Sequence, residues 1–519
     1  MTDSTERARV SRRSFLGGVG VTAAGLMVAS GPALWQQAAK AAATTAEQVH
    51  LTFGADPAKE VVVSWVTESA VSKPAVRLGN PAGGWGRTVQ AETLTYTDAN
   101  NGLETIVHHA YINGLHADSD YVYEIVSDGA TQLTGAFATA PEGRVPFRFT
   151  SVGDIACGDV AYSKASLNAM ATAAAVEQFN PVVHLVNGDL SYANSNQSSQ
   201  TQVWQQYFSN TQLSAANRPW MPTLGNHENE PGNGPQGYLS YQTRFMLPGN
   251  GSRDFDGNWY SFQVGSVLFV ALDNNDVCYQ VDTGTYLGTT TNQDLTGYSG
   301  GAQERWLEQT LAAASVDTSV DWIVVYMHQP AMSTSDADGS DLGIRQSWMP
   351  LFYKYGVDFV LAGHDHDYER SHLVHGTDSG TYLRPSVVST AMTNIDTDKG
   401  LVHLVLGTGG TKGHDDTYNV DAANNNAPSE TINLSATEVG TEDAPWSAIT
   451  DPNPTYPWGI GVFDVNPGRF PGDKTTMTFT YYHTPAATAT APYPAPVEFD
   501  TFTATRTRSD GFGFRQRSA

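Results

Sequence analysis

The chain has 519 residues and a formal net charge of −25, since 53 Asp and Glu outnumber 28 Lys and Arg. Apolar residues make up 40% and aromatic residues 10%, so a large core can form and general disorder is excluded. The acidic balance argues against binding to nucleic acid or to an anionic membrane, because both need a basic surface. The two cysteines, Cys157 and Cys278, exclude a disulfide framework and a four-cysteine zinc module.

The first 43 residues are typical of an export signal. Four arginines between positions 7 and 13 precede a mildly apolar stretch at 17–33, and small residues at 39–43 offer cleavage sites. The run Ser11-Arg12-Arg13-Ser14-Phe15-Leu16 resembles a twin-arginine signal. We therefore expect export to the periplasm, cell wall or exterior; the alternative is a basic tail before a membrane-anchoring helix. The segment carries five cations and two anions, so its removal changes the net charge to −28.

Residues 44–142 are predicted to form an all-β domain. Short apolar or alternating runs such as Val49–Phe53 and Tyr121–Val126 are separated by turn dipeptides such as Asn113-Gly114. About a hundred residues of this pattern favour a β-sandwich. No later run of about 20 apolar residues follows the signal, so we expect no stable membrane insertion.

Residues 143–519 are predicted to form an α/β layered domain with mostly parallel strands, because strands and helices alternate. Its chemistry is expected in loops at the carboxyl ends of the strands. Residues 274–301 and 411–456, which hold one Lys and no Arg, are predicted to be acidic surface insertions. The predicted strands are Phe147–Val152, Pro181–Asn187, Val267–Leu272, Trp322–Met327, Phe359–Ala362 and Leu401–Leu406, and the helices are Ser163–Phe179, Ala302–Ala313 and Ser347–Tyr355.

Five short motifs each place a metal-binding side chain after an apolar run. In four of them a Gly precedes the first such residue and allows a sharp turn. Their O and N donors suit Fe(III), Fe(II), Mn(II) or Zn(II) and argue against a thiolate site. Each motif alone is weak evidence, whereas the five together predict a metal centre. They are Gly153-Asp154, Gly188-Asp189-Leu190-Ser191-Tyr192, Gly225-Asn226-His227-Glu228, Val325-Tyr326-Met327-His328 and Gly363-His364-Asp365-His366.

These motifs resemble those of the binuclear metallophosphoesterases and, among them, the purple acid phosphatases. Tyr192, three residues after Asp189, is the distinguishing position. Residues 363–370 are similar to the family's extended GHxHxYER segment, and residues 258–273 to its central hairpin. Residues 48–137 are similar to its fibronectin-like N-terminal domain, so the resemblance covers nearly the whole mature chain. It implies a metallophosphoesterase β-sandwich flanked by helices, preceded by a fibronectin-III or Ig-like sandwich.

The resemblance also implies two metals that share Asp189 as a bridging ligand. Fe(III) would be bound by Asp154, Asp189, Tyr192 and His366, with a phenolate-to-iron charge transfer that colours the protein. A divalent Zn, Fe or Mn would be bound by Asp189, Asn226, His328 and His364. His227 is predicted to contact the phosphate and protonate the leaving group. The alternative is that it only orients Asn226.

The implied function is hydrolysis of a small phosphate monoester by a hydroxide that the two metals activate. A phosphodiesterase or nucleotidase on the same site is the alternative within the enzymes. An inactive surface-binding protein is a third possibility, which the complete set of seven ligands disfavours. Many relatives carry further histidines after the His328 position, but Gln329–Asp341 has none. The oligomeric state does not follow from the sequence.

Residues near the motifs are given lesser roles. Glu228 is expected to be a buried structural carboxylate, and the segment Tyr368-Glu369-Arg370 to support the ligands. His184 is expected in the core, and His403 either in the core or close to the site. The two cysteines follow strands on the same face, so they form either a disulfide or two buried thiols.

Overall fold

The structure is a computed structural model that describes residues 46–155, 167–280, 297–378, 380–411, 418–435, 437–451, 456, 458–485 and 494–511. The export signal and Cys157 lie outside these residues. In the described part of the chain, no helix has the length and apolar character needed to span a bilayer.

The N-terminal domain consists of two antiparallel four-stranded sheets, as predicted. Their strand orders are β1-β2-β6-β5 and β4-β3-β7-β8. Trp65, Val76 and Tyr123 are fully buried between them, because alternate residues of each strand face inward. The strands are β1 (Glu47–Phe53), β2 (Val61–Thr67), β3 (Ala75–Asn80), β4 (Gly84–Gln90), β5 (Glu92–Thr97), β6 (Glu104–Ile112), β7 (Asp120–Ser127) and β8 (Ala130–Ala138).

The second domain contains six described α-helices and twenty described strands. The helices are α1 (Leu167–Phe179), α2 (Gln200–Ala215), α3 (Leu239–Arg244), α4 (Ala302–Ala314), α5 (Leu342–Ser347) and α6 (Met349–Tyr355). The strands are β9 (Phe147–Val152), β10 (Val183–Val186), β11 (Trp220–Pro222), β12 (Tyr260–Val264), β13 (Val267–Ala271), β14 (Trp322–Tyr326), β15 (Ser340–Asp341), β16 (Phe359–Ala362), β17 (Tyr368–Ser371), β18 (Leu373–Thr377), β19 (Pro385–Ser389), β20 (Asn394–Asp396), β21 (Val402–Leu406), β22 (Val420–Asp421), β23 (Ala427–Ser435), β24 (Glu438–Asp443), β25 (Ser447–Thr450), β26 (Gly459–Asn466), β27 (Lys474–His483) and β28 (Val497–Thr507).

Two seven-stranded sheets form the centre of this domain, which confirms the predicted sandwich flanked by helices. Their orders are β11-β10-β9-β26-β27-β28-β20 and β12-β13-β14-β16-β21-β17-β25. Aromatic rings fill the space between them; Phe149 stacks on Phe463 at 4.4 Å and meets Phe269 edge-on at 4.9 Å. Helices α1 and α2 cover the first sheet, and α4 and α6 cover the second.

The predicted parallel pairing holds for the strands that carry the site and for a few pairs elsewhere, such as β20 with β28 and β15 with β23. Strands β9, β10 and β11 are parallel in one sheet, and β13, β14, β16 and β21 are parallel in the other. Strands β26 to β28, which follow the second insertion, add an antiparallel meander.

The prediction of surface loops for the two insertions was wrong in most of their described residues. Residues 427–435 and 438–443 pair as strands β23 and β24, and β25 is an edge strand of the second sheet. Alternation explains this outcome, because one face of the hairpin is buried at Glu430 and Ile432 while the other stays partly exposed. At the start of the first insertion, Asn274 is buried, and its amide donates to the Gln329 carbonyl at 2.7 Å.

The two domains share polar contacts centred on Arg244, the last residue of α3. Its buried guanidinium donates to the Tyr96 hydroxyl at 2.7 Å and lies between the rings of Tyr96 and Trp204. His50 Nε2 lies 2.9 Å from the Arg244 carbonyl, and His109 Nε2 lies 3.0 Å from the Thr243 carbonyl. The N-terminal sandwich is thus joined to the segment that follows the third motif.

Candidate metal centre

The seven predicted ligands meet where five parallel strands end. Asp154 follows β9, Asp189 and Tyr192 follow β10, and Asn226 follows β11, all in the first sheet. His328 follows β14, and His364 and His366 follow β16, both in the second sheet. The site therefore lies across the carboxyl edges of both sheets, where ligands of α/β proteins are usually bound.

Two of these side chains, those of Asp154 and His366, converge on the Tyr192 hydroxyl. It donates to Asp154 Oδ1 at 2.8 Å and lies 2.8 Å from His366 Nε2. His366 Nε2 lies 3.5 Å from Asp154 Oδ1. The first sheet thus supplies two oxygens to this group and the second sheet supplies one nitrogen.

Three more, those of Asp189, Asn226 and His364, converge on His328 Nε2. Asn226 Oδ1 lies 2.9 Å from it, Asp189 Oδ2 3.2 Å, and His364 Nδ1 3.2 Å. The ligand atoms of Asp189, His328 and His364 all lie within 4.8 Å of one another.

The environment of His328 fits a bound cation. Its Nδ1 faces the Asn187 carbonyl at 2.8 Å and must carry the proton, so Nε2 presents a lone pair to other acceptors. Burial lowers the pKa of His328, but the carboxylates of Asp189 and Asp154 together with the Asn187 carbonyl outweigh burial and raise it to about 10. This point of the site therefore attracts positive charge, which a divalent metal would supply.

The environment of Tyr192 fits a more highly charged ion. Burial, together with the carboxylates of Asp154 and Asp189, raises the pKa of this phenol well above its ordinary value. A phenolate can form here only beside a strong cation, because two carboxylates already repel the negative charge. The donor set of Asp154, Asp189, Tyr192 and His366 is therefore suited to a trivalent ion.

Four of the seven ligands have a left-handed backbone conformation. The φ angles are 59° for Asp154, 50° for Asp189, 59° for Tyr192 and 73° for His364. Each costs of order 1–3 kcal/mol, and such strain is found where the surrounding structure holds a functional side chain. Gly225 is needed next to this group, because a Cβ there would collide with the Asp189 carboxylate.

His227, the predicted catalytic residue, lies beside the ligands and is partly exposed. Its Nε2 is 4.0 Å from Asp189 Oδ2, and its Nδ1 is 2.6 Å from Asn194 Oδ1. The Asn194 amide donates to two main-chain carbonyls, of Asn226 and Asn229, so its oxygen is the atom that faces His227. The proton of a neutral His227 therefore sits on Nδ1.

Glu228 is fully buried and holds the main chain around the ligands. Its carboxylate accepts from the backbone N–H of Asp189 at 2.9 Å, of Leu190 at 2.8 Å and of Gly225 at 2.8 Å. Glu369 similarly accepts from the Thr334 N–H at 2.9 Å, in the loop after His328. Both carboxylates have the supporting roles expected of them.

The structure places several other candidates away from the ligands. Tyr368 and Arg370 both bind Asp500 on β28, so their expected support of the ligands was wrong; β17 directs them towards the neighbouring sheet. His184 packs on Trp220 in the core, as expected. His403 is buried on β21, and its Nε2 accepts from the Ala331 N–H. Cys278 is buried, while its predicted disulfide partner lies outside the described residues.

Two residues near the site help to position it, and no motif indicated either of them. Asn187 links the sheets, since its carbonyl accepts from His328 and its amide donates to the Ala362 carbonyl at 3.2 Å. Asn194 orients His227. Each lies one or two residues outside the Gly188–Tyr192 motif, and that proximity was the only signal in the sequence.

Comparison with known proteins defines the class of the protein. Residues 147–368 match the profile of the calcineurin-like phosphoesterases, and residues 46–139 match that of the purple acid phosphatase N-terminal domain. The chain is therefore a metallophosphoesterase, and it belongs to the purple acid phosphatase family.

Relatives cover most of the chain. An uncharacterized protein of Mycobacterium tuberculosis is 43% identical over 509 residues, which cover 91% of this chain and 92% of that one. The Fe(3+)-Zn(2+) purple acid phosphatase 12 of Arabidopsis thaliana is 27% identical over 375 residues, which cover 70% and 72%. The structure of purple acid phosphatase PPD1 from yellow lupin seeds has a TM-score of 0.63 at 20% identity. The match covers 92% of this chain and 77% of that one.

Proposed function

We propose that the protein is an exported phosphatase that hydrolyses phosphate monoesters at a pair of metal ions. The observation that carries the proposal is the convergence of seven N and O donors in two groups, around Tyr192 and around His328. Asp154, Asp189, Tyr192 and His366 would hold Fe(III). Asp189, Asn226, His328 and His364 would hold Zn, Fe or Mn.

Bound at these positions, the pair supplies Lewis-acid polarisation of the phosphoryl group and a nucleophile in mildly acidic solution. The chain's own contribution is to hold seven donors in place before substrate arrives. The main-chain hydrogen bonds of Glu228 and Asn187 do this, because they fix the loops after β10 and β11 and the ring of His328.

His227 would protonate the departing alkoxide. Asn194 keeps a proton on Nδ1, so a second proton on Nε2 makes that atom a donor, on a ring that is partly exposed beside Asp189. The imidazolium would also attract the phosphate anion. Both effects need the protonated form of the ring.

The test is an assay of the metal-loaded protein with p-nitrophenyl phosphate and with bis(p-nitrophenyl) phosphate. We expect a higher kcat/KM for the monoester, and His227→Ala as well as Asp189→Ala should reduce it. A preference for the diester would refute monoester specificity and favour a phosphodiesterase. No hydrolysis of either compound, with both metals bound, would favour an inactive binding protein.

Export is proposed from the twin-arginine resemblance of residues 11–16. Replacing both Arg12 and Arg13 with Lys should retain the protein inside the cell. Arg7→Lys with Arg9→Lys is the matched control, because it changes two arginines outside the motif. Unchanged secretion of the Arg12 and Arg13 variant would refute this route.

A further inference from the structure

The mouth of the metal centre carries a carboxylate that the proposed reaction does not use. Asp338 lies in the loop 329–341 that follows His328, and its side chain is 49% exposed. Its Oδ1 lies 3.8 Å from His364 Nε2. That nitrogen is buried and has no hydrogen-bond partner among the described residues. Asp338 is therefore next to a ligand and open to solvent at once.

Both insertions hold Asp338 in this position. The amide of Gln280, from the first insertion, donates to the Asp338 carbonyl at 2.7 Å, and so does the amide of Asn433, from the second. The Asp338 N–H donates to Asp365 Oδ1 at 3.2 Å, between the two ligand histidines of β16. The backbone of Asp338 is thus fixed from three directions.

The rest of the loop is anchored as well. Near its start, the Ser333 hydroxyl donates to Glu369 at 2.5 Å. Near its end, the Ser340 hydroxyl donates to Glu430 on β23 at 2.5 Å. Because both ends are held, the carboxylate of Asp338 stays beside the site before any substrate binds.

No described Lys or Arg neutralises this carboxylate. Residues 329–344 contain no basic residue. Arg345, which follows them, is 1% exposed and already forms ion pairs with Glu430 and Glu442. The negative charge of Asp338 therefore acts on whatever enters the mouth.

A chain of contacts runs from His227 to Asp338 across the site. His227 Nε2 lies 4.0 Å from Asp189, which lies 3.2 Å from His328. His328 lies 3.2 Å from His364, which lies 3.8 Å from Asp338. The His227 end can carry a positive charge, which attracts a phosphate. The Asp338 end carries a negative charge, which repels one.

We propose that Asp338 selects phosphate monoesters whose leaving group is positively charged, such as the phosphate esters of ammonium alcohols. This inference rests on the proposed function. The donor side chains are mostly buried, so the leaving group must extend towards solvent. Asp338 is the most exposed of the described charged side chains in this chain of contacts. A carboxylate and an ammonium about 6 Å apart in a largely solvated setting, with an effective dielectric constant of about 40–80, change binding about three- to tenfold.

The test compares phosphocholine with 3,3-dimethylbutyl phosphate, its uncharged isostere, on the metal-loaded full-length protein. We expect kcat/KM to be about three- to tenfold higher for phosphocholine. Asp338→Asn should bring the ratio close to one, whereas Asp338→Glu should retain a preference. Asp336→Asn is the matched control, because it removes a negative charge from an exposed residue of the same loop.

Two results would overturn the inference. One is a wild-type ratio of one or less; the other is an unchanged ratio in Asp338→Asn. The ratio cancels changes in metal loading that affect both substrates equally, and metal analysis of each variant checks this. If p-nitrophenyl phosphate is cleaved but the ratio of the two kcat/KM values gives either of these results, the proposed function stands and only the role of Asp338 is refuted. If the loaded protein cleaves no monoester, the proposed function fails and this inference fails with it.

Discussion

The imidazole of His227 stacks on the phenol ring of Tyr192, with ring centroids 4.1 Å apart and planes inclined by 30°. The two residues come from different motifs, after β11 and β10. Their contact joins the proposed proton donor to a ligand of the proposed Fe(III), while the Tyr192 hydroxyl points to Asp154 and His366. The ring of Tyr192 and its hydroxyl therefore have separable roles.

Tyr192→Phe should abolish the visible absorption and leave a folded, partly active enzyme. The phenolate supplies the charge transfer, whereas the retained ring still supports His227 and three donors still hold the metal. A visible spectrum with iron analysis of both proteins measures this. If the oxidised, metal-loaded wild-type protein is colourless, the Fe(III)–tyrosinate assignment is wrong and a Zn or Mn pair is favoured.

Asp189→Ala should lose both metals and all activity, because this carboxylate is the proposed bridge. Asn226→Ala should lose the divalent ion preferentially, since its Oδ1 lies 2.9 Å from His328 Nε2 in the second donor group. Metal content after extensive dialysis distinguishes the two variants. Near-stoichiometric iron in Asp189→Ala would contradict the bridging role.

His227→Ala should reduce kcat about 100-fold for an alkyl phosphate such as glycerol phosphate, as expected for loss of a general acid. The loss should be smaller for p-nitrophenyl phosphate, whose leaving group departs without a proton. Asn194→Ala should show the same pattern more weakly, because it removes the hydrogen bond that orients the ring. Equal losses for both substrates would instead assign His227 to binding or to the support of Asn226.

His109→Gln should make the stability of the protein less sensitive to acid. Burial lowers the pKa of His109 to about 4, whereas an unfolded histidine has a pKa near 6.5. As the pH falls from about 6.5 to 4 the unfolded state takes up a proton that the folded state refuses, so stability falls, by about 2 kcal/mol near pH 5.

Urea unfolding at about pH 7.5 and about pH 5 measures this difference. Glutamine keeps a donor for the Thr243 carbonyl and an acceptor for the Ser64 hydroxyl, the two partners of His109. The exposed His116→Gln serves as the control. The idea fails if the drop in stability is the same in His109→Gln and wild type.

A highly charged substrate should respond to salt in the opposite direction from most phosphate-binding enzymes. Carboxylates at the mouth repel ATP over about a Debye length, roughly 8 Å at physiological salt. We expect kcat/KM for ATP to rise with added salt and to rise less after Asp338→Asn, while p-nitrophenyl phosphate changes little. A steep fall for ATP would indicate a basic mouth.

Much of the site could be predicted because its chemistry is tied to strand ends. A Gly followed by Asp, Asn or His after an apolar run indicates a sharp turn that presents a metal-binding side chain. Parallel strands bring such turns together at the carboxyl edge of a sheet. The hairpin β23–β24 was missed because its acidic composition resembles a solvated loop. Two of those acids, Glu430 and Glu442, are in fact paired with the buried Arg345. Such pairing depends on tertiary contact, which local composition does not reveal.

Arg244 has a consequence for how such a protein can be shortened. Its side chain is buried by Tyr96 on one side and Trp204 on the other, and one apolar cluster includes residues of both domains. A fragment that began near residue 143 would lack the N-terminal domain. It would expose the apolar residues that this domain covers, and the Arg244 guanidinium would lose its contact with Tyr96. We expect such a fragment to accumulate as inclusion bodies, and the two halves to be inherited together as one evolutionary unit.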